Sequence, residues 1–214
     1  MKNLQDFFSL DDNDLATLQD FTHEKKHTKG EILFYTDEVL DSIYFLSEGT
    51  AIAYQVDNDY KKIVWHIFQA PCFIAEGFLL QDTPKPVAFT TEMLRDGKVC
   101  KINFKKFESF FLNRTDVLYK IVKGMTAKMS NYRHFVMNEK FFNSTEKVAF
   151  FIIHQPKLVR DLKLGEISCI LNIQQPTLSK TLKDFRDAGL IESKKSKIFI
   201  KNEEGLREIC KSKF

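Results

Sequence analysis

The stretch EISCILNIQQPTLSKTLKDFRDAGLI, residues Glu166 to Ile191, decides the fold because it has the pattern of two short helices joined by a tight turn. Ile167, Ile170 and Leu171 have the i, i+3, i+4 spacing of one apolar helix face. Asn172 follows them, and asparagine tolerates the left-handed conformation that often ends a helix. The pattern predicts a first helix that stops at Asn172.

A second helix is predicted to begin at Gln174-Gln175-Pro176, since proline fits the first turn of a helix. Its apolar residues recur at i, i+4 and i+7 and are expected to face inward: Leu178, Leu182 and Phe185. The residues left outside are Gln174, Gln175, Thr177, Ser179, Lys180 and Lys183. Glutamine can bond adenine and lysine can bond guanine or phosphate, so this face suits the DNA major groove. Spacing alone leaves an ordinary helical hairpin as the alternative.

The residues after the second helix favour DNA binding over that alternative. Ala188-Gly189 ends the helix, Leu190-Ile191 begins a strand, and Ile198–Ile200 is a second strand. The turn between the two strands is rich in lysine: Lys194, Lys195 and Lys197. A β-hairpin with a basic tip can contact phosphates beside a helix that reads bases, so we predict a winged helix-turn-helix.

The distribution of charge agrees with this prediction better than the overall charge does. The 214-residue chain has a net charge of only +3. From residue 144 onward there are 14 Lys and Arg against 9 Asp and Glu, whereas the remainder has 18 against 20. The positive charge is therefore concentrated around the predicted reading helix, as an electrostatic footprint on DNA requires.

Several other classes of protein are disfavoured by the sequence. The four cysteines have no CxxC spacing, so we expect free thiols and no iron–sulfur or zinc site. No signal peptide and no apolar run of membrane-spanning length is evident, so we expect a cytoplasmic protein. A P-loop, a nucleophile elbow, an HExxH motif and the paired His ligands of a cupin-like metal enzyme are missing, so we expect no enzyme.

Residues 27–102 have the pattern of many short strands separated by turns, after one or two N-terminal helices over residues 4–21. Strands are predicted at 31–35, 42–47, 50–56, 63–68, 73–74, 88–93 and 97–102. Short strands at such intervals indicate a sandwich or a small barrel, which can hold one ligand inside. Together with the C-terminal helices they predict the α+β class.

A long helix is predicted next, because apolar residues step by 4, 3, 4, 3 and 4. They are Leu118, Val122, Met125, Met129, Tyr132 and Val136. This heptad seam predicts a parallel two-stranded coiled coil, with a single buried helix as the alternative. Gly124 is either a weak point or a place of close helix approach. A new helix capped by Ser144 or Thr145 is expected to follow. We therefore divide the chain into 1–106, 107–140 and 141–214.

This order resembles the Crp/Fnr family of bacterial transcription regulators. The resemblance is carried by Lys29–Leu33, Asp41–Gly49, Phe73–Glu76 and the helix-turn-helix. It implies an N-terminal β-roll sensor domain related to cyclic-nucleotide-binding domains, a dimerisation helix and a winged helix-turn-helix. It also implies that Gln174 and Thr177 hold phosphates and that Gln175, Pro176 and Lys180 face bases.

The chain departs from cyclic-nucleotide-binding members of that family in the β-roll. Glu76 is kept, but Ala75 and Pro71 stand where those members have glycines, and the phosphate-binding segment reads Lys85-Pro86-Val87-Ala88 without arginine. Tyr132 and Arg133 replace small hydroxyl residues near the base. The implied effector pocket therefore comprises Glu76, Lys85, Val87, Ala88, Tyr132 and Arg133, and we expect no response to cyclic AMP.

The cofactor or effector stays unknown from the sequence. Haem is possible, but a lone histidine is no ligand motif; the candidate ligands are His23, His27, His66, His134 and Cys72. The aromatic residues of the barrel suit an apolar or planar effector.

We accordingly expect a homodimeric, sequence-specific transcription regulator that binds palindromic double-stranded DNA and responds to a signal other than cyclic AMP. RNA polymerase is a further partner if the protein activates transcription. A sensing module that acts through a protein partner is the alternative.

Overall fold

The computed structural model describes residues 1–81, 83, 85–194 and 197–210, and within these the side chains of residues 134, 137 and 138 are not described. The chain divides into two compact units. The first comprises Met1–Tyr60 and Trp65–Tyr132, and the second comprises Lys61–Val64 and Arg133–Phe214.

The first unit is built from a small sheet with short helices. Its helices are α1 (Lys2–Phe8), α2 (Asp12–Gln19), α3 (Glu76–Leu79) and α4 (Phe104–Phe111). Its strands are β1 (Thr22–His27), β2 (Ile32–Phe34), β3 (Ser42–Val56), β4 (Lys62–Gln69), β5 (Cys72–Ile74) and β6 (Thr90–Asn103). The first three residues of β4, Lys62–Val64, are grouped with the second unit. The strand order is β1-β6-β3-β4, with β2 on β6 and β5 on β3.

Strands β3 and β6 are each continuous, although the sequence predicts each of them as two strands. The glycines interpreted as turns lie instead at a bulge where the two backbones almost touch. A Cβ on Gly49, whose φ is +94°, would lie 2.6 Å from the carbonyl oxygen of Asp96. A Cβ on Gly97 would lie 2.1 Å from the carbonyl oxygen of Glu48. The bulge lets both strands bend without ending.

Phenylalanine side chains fill the core of the first unit. Phe8, Phe45, Phe73 and Phe107 are buried. Their rings pack in edge-on and tilted pairs with centroids 5.2 to 6.2 Å apart. Such pairs stabilise a core beyond the area that they bury. This packing anchors α1 and α4 to the sheet.

The long helix, α5, runs from Thr115 to Phe141 and does not begin at residue 107 as predicted. Residues 104–111 form the separate helix α4. Arg114 lies in the break and donates hydrogen bonds to Asp116, at 2.8 and 3.2 Å, and to Asp14 of α2. Phe107 and Phe111 of α4 are buried on the N-terminal side of this break.

The second unit contains α6 (Ser144–His154), α7 (Pro156–Asp161), α8 (Leu164–Ile170), α9 (Gln175–Asp187), α10 (Glu203–Cys210), β7 (Ile191–Lys194) and β8 (Lys197–Ile200). Asn143, not Ser144 or Thr145, caps α6: its side chain accepts from the backbone N–H groups of Thr145 and Glu146. Glu146 in turn accepts from the N–H of Asn143 at 2.7 Å, which completes a capping box. No helix in the described part of the chain is long and apolar enough to span a membrane.

Candidate DNA-reading surface and effector cavity

The two helices of the Glu166–Ile191 stretch are α8 and α9, and the turn between them has the geometry that the sequence predicts. Asn172 adopts a φ of 51°. The N–H of Ile173 donates to the carbonyl oxygen of Ser168 at 3.1 Å, which closes the end of α8. Leu178, Leu182 and Phe185 are buried. The turn thereby fixes the direction of α9.

The outer face of α9 is polar and free of acidic side chains in its first turn. Every residue predicted to face DNA here is exposed: Gln174, Gln175, Pro176, Thr177, Ser179, Lys180 and Lys183. The first acidic residue of α9 is Asp184. The N-terminal end of α9 therefore carries the positive end of the helix dipole together with amide, hydroxyl and ammonium groups that suit bases and phosphates.

The predicted wing is the hairpin of β7 and β8, in which Lys194 pairs with Lys197 across the two strands. Both lysines are exposed. The ammonium group of Lys194 lies 2.7 Å from Glu192, so part of its charge is already neutralised within the hairpin. Lys195 lies outside the described residues. Lys197 is consequently the better-placed of the two described lysines for a phosphate contact.

A cavity of about 320 Å³ opens inside the first unit, between the sheet and α5. Of the predicted effector-pocket residues, Glu76, Val87 and Tyr132 line it, whereas Lys85, Ala88 and Arg133 do not. The remaining lining is mostly apolar, and no arginine contributes to it among the described residues. The cavity thus has no guanidinium group for a phosphate.

The main polar feature of this cavity is an ion pair that the sequence analysis missed. Glu76 is 5% exposed, and its carboxylate pairs with the ammonium group of Lys128 of α5. Lys128 also donates to the carbonyl oxygen of Phe73 at 2.6 Å and lies 5.7 Å from the centre of the Phe68 ring. Lys128 has the helical spacing of a core-facing residue with Val117, Ile121 and Gly124, and that signal was available in the sequence.

The candidate haem ligands do not line the larger cavity. His66 and Cys72 line a second cavity of about 230 Å³, whose lining shares Glu76 and Lys128 with the larger one. Burial, with a smaller contribution from Lys128, lowers the pKa of His66 to about 4. Burial raises the pKa of the Cys72 thiol to about 12. His23 lies exposed on β1, His27 contacts Glu31, and the side chain of His134 lies outside the description.

The predicted seam on α5 leaves large apolar side chains in solvent. Val122 is 58% exposed and Met129 is 70% exposed, and Leu118 and Val136 are exposed as well. Met125 and Tyr132 are half-buried because they also line the cavity. A stripe of exposed apolar residues along one helix is unusual for the surface of a single chain.

Comparison with known proteins agrees with this architecture. Residues 24–114 match the family model of the cyclic nucleotide-binding domain. Residues 146–209 match the model of the Crp-like helix-turn-helix domain. The chain belongs to the Crp/Fnr family. Its members are DNA-binding transcription regulators and not enzymes, so the predicted regulator class is confirmed.

Individual Crp/Fnr proteins are similar over nearly the whole chain. The fumarate and nitrate reduction regulatory protein of Salmonella typhi is 22% identical over 95% of this chain and 85% of its own length. The anaerobic regulatory protein of Haemophilus influenzae is 23% identical over 94% of this chain and 82% of its own.

Solved structures show the same fold. FixK2 from Bradyrhizobium japonicum superposes with a TM-score of 0.75 at 16% identity, over 88% of this chain and 96% of that one. A CooA mutant from Carboxydothermus hydrogenoformans superposes with a TM-score of 0.76 at 16% identity, over 91% of this chain and 90% of that one. The predicted α+β fold, with a β-roll followed by a helix-turn-helix domain, is confirmed.

Proposed function

We propose that this Crp/Fnr regulator acts as a homodimer on palindromic double-stranded DNA and responds to a signal other than cyclic AMP. The observation that carries the proposal is the exposed, acid-free N-terminal half of α9 on a well-packed helix-turn-helix. In this arrangement α9 enters the major groove, with Gln175, Ser179 and Lys180 at base edges and Gln174 and Thr177 at phosphates.

The seam on α5 supports the homodimer. Six apolar residues at heptad spacing form a stripe whose most exposed members are Val122 and Met129. A second copy that supplies the same stripe would cover it, and two-fold symmetry would present two α9 helices to half-sites about one helical turn apart, roughly 34–36 Å. An operator with two-fold symmetry follows from this pairing.

The cavity supports a signal other than cyclic AMP. A cyclic nucleotide would bring a buried phosphate, and a buried phosphate needs a paired cation. Lys128 is the cation on the cavity wall, and it is already bonded to Glu76 and to the Phe73 carbonyl oxygen. Lys85 does not line the cavity. We therefore expect that saturating cyclic AMP leaves DNA affinity unchanged.

RNA polymerase is a further proposed partner if the protein activates transcription from its sites. The alternative, a sensing module that acts through a protein partner, makes a different prediction, since such a module would bind operator and random DNA equally weakly.

The reading surface is tested by fluorescence anisotropy with an operator selected from random duplexes and with a scrambled duplex of equal length. Lys180→Ala should cost about 1–3 kcal/mol on the operator and less on the scrambled duplex, because a base contact is lost. Lys197→Ala should weaken both duplexes alike and reduce the salt slope by about 1, because a phosphate contact is lost.

Lys140→Ala is the matched control, since it removes an exposed lysine of the same unit that belongs to α5 and not to α9 or the wing. Unchanged relative affinity of the Lys180→Ala protein for operator and scrambled DNA would show that α9 does not read bases. A rise in operator affinity on addition of cyclic AMP would contradict the proposed signal.

A further inference from the structure

The larger cavity contains two charged side chains that neutralise one another. The Glu76 carboxylate and the Lys128 ammonium group form an ion pair, and both side chains are largely buried, at 6% and 15% exposure. The ammonium group has two further partners, the Phe73 carbonyl oxygen and the face of the Phe68 ring. Among the described lining residues no other group carries a formal charge.

This pairing decides which ligand charge the cavity tolerates. An anionic ligand could be neutralised only if Lys128 left Glu76, and a buried carboxylate without its partner costs several kcal/mol. A cationic ligand would leave Lys128 unpaired in the same way. A neutral ligand needs no such exchange, so the cavity selects against charge of either sign.

The volume and the lining of the cavity further restrict the class of ligand that it can bind. A cavity of about 150 Å³ lined by apolar side chains holds one benzene ring, and this cavity is about twice that volume. Phe34, Phe68, Phe78 and Phe89 supply aromatic walls, and Met129 supplies a thioether that packs well on ring edges. The volume and the walls fit two fused rings.

Among the described lining residues, Thr91 and Tyr132 have neutral hydroxyl groups that can donate hydrogen bonds. Tyr132 lines the cavity. Burial, followed by the nearby Glu76 carboxylate, raises the pKa of its phenol, which therefore stays protonated at neutral pH. A protonated phenol can donate a hydrogen bond to an oxygen or nitrogen atom of a ligand.

We propose that the cavity binds a neutral, apolar molecule of about two fused rings with one hydrogen-bond acceptor, while the Glu76–Lys128 pair stays intact. The inference rests on the proposed role of the β-roll as a sensor and specifies the chemistry that it senses. It also gives a route to α5, since Lys128, Met129 and Tyr132 belong to that helix and line the cavity.

Three probes with one ring system test the charge preference by calorimetric titration of the full-length protein. They are 2-naphthalenemethanol, which is neutral, 2-naphthoate, which is anionic, and 2-naphthylmethylammonium, which is cationic. We expect the neutral probe to bind one per chain and at least tenfold more tightly than either charged probe. Equal or tighter binding of a charged probe, or no binding of any probe, would overturn the proposal.

Two variants test where the neutral probe binds and whether the Glu76–Lys128 pair sets the charge preference. Ala53 is buried and lines the cavity, so Ala53→Phe should fill the space and weaken the neutral probe at least tenfold. Glu76→Gln leaves Lys128 without its carboxylate and should move the preference toward 2-naphthoate by at least tenfold. A folded Glu76→Gln protein that keeps the wild-type preference would show that the pair does not set it.

Unfolding midpoints establish that each variant is folded. If Glu76→Gln does not fold, the double variant Glu76→Leu with Lys128→Met removes both charges and should retain the neutral preference. Loss of that preference in the double variant would also refute the proposal.

DNA affinity is measured separately on the same samples. Binding of the neutral probe without any change in operator affinity would contradict the sensory role and leave the ligand class standing. If the protein does not prefer the operator over scrambled DNA, whether or not the probe is present, the proposed function is contradicted instead.

Discussion

His66 shows how one buried side chain sets a pH response of the β-roll. Its ring lies 4.5 Å from the Phe68 ring and 4.9 Å from the Tyr132 ring. Burial and then Lys128 lower its pKa to about 4, whereas a free histidine titrates near 6.5. Between these values the unfolded chain binds a proton that the folded chain excludes, so the free energy of unfolding falls as the pH falls.

We expect this imidazole to remove about 2 kcal/mol of stability between pH 7 and pH 5, and His66→Phe should abolish that part of the loss. Urea unfolding of both proteins at the two pH values measures it. Carboxylates titrate in both proteins, so the difference between them isolates the imidazole. Parallel losses in the two proteins would contradict the lowered pKa.

Substitutions at Gly49 and Gly30 can be compared to distinguish the cost of backbone strain from the cost of a steric clash. Both have positive φ, +94° and +84°, but a Cβ on Gly30 meets nothing within 4 Å, whereas one on Gly49 lies 2.6 Å from the Asp96 carbonyl oxygen. Gly30→Ala should cost about 1–2 kcal/mol of unfolding free energy from the left-handed conformation alone. Gly49→Ala should cost about 1–3 kcal/mol more, because the backbones must also separate.

Denaturant unfolding of the two variants compares these costs directly. If the two variants lose the same unfolding free energy, the backbones of β3 and β6 can separate at the bulge at little energetic cost.

Single residues are also where prediction from the sequence stops. The inward residues of α9 follow from spacing, but Glu76 and Lys128 are 52 positions apart, and no local pattern joins them. The exposed side chains of α9 were named from the sequence; the partner of Glu76 required the fold.

At the scale of elements, the start of α6 depends on one cap. The Asn143 side chain accepts two backbone hydrogen bonds, of 2.9 and 3.0 Å, so Asn143→Ala should cost about 1 kcal/mol of unfolding free energy. Thr145, an exposed residue two positions further along the chain, makes no such cap, and Thr145→Ala should change stability by less than about 0.5 kcal/mol. Thermal unfolding distinguishes them, and a larger loss for Thr145→Ala would reassign the cap.

Elements were predictable where their pattern is local. The α8–turn–α9 motif has its stop signal, its proline and its apolar spacing within 26 residues. Strand β1 was missed because its sequence, THEKKH, is polar, and it lies mostly exposed against β6. Strands β3 and β6 were each divided in two because a glycine at a bulge has the same sequence signal as a glycine in a turn.

At the scale of the whole molecule, the proposed dimer predicts that charge in the seam separates the copies. Met129→Asp should raise the dimer dissociation constant at least 100-fold, since a carboxylate would be buried against apolar residues, a cost of about 3 kcal/mol or more. Operator affinity should fall with it, because one copy holds one half-site. Sedimentation equilibrium measures the first effect and anisotropy the second.

Ser130→Asp is the control, because it adds the same charge to an exposed residue at the next position of α5, turned away from the seam. A Met129→Asp protein that remains dimeric would assign the apolar stripe of α5 to another partner.

The cavity and the proposed seam on α5 share three residues, Met125, Met129 and Tyr132. A mutation that adapts the cavity to a new molecule therefore also alters the surface through which two copies would meet. Ligand preference and self-assembly are then inherited together. Lineages of such a regulator that change their signal are expected to accumulate compensating substitutions along this one helix, and swapping the β-roll alone between relatives should weaken pairing unless α5 is transferred with it.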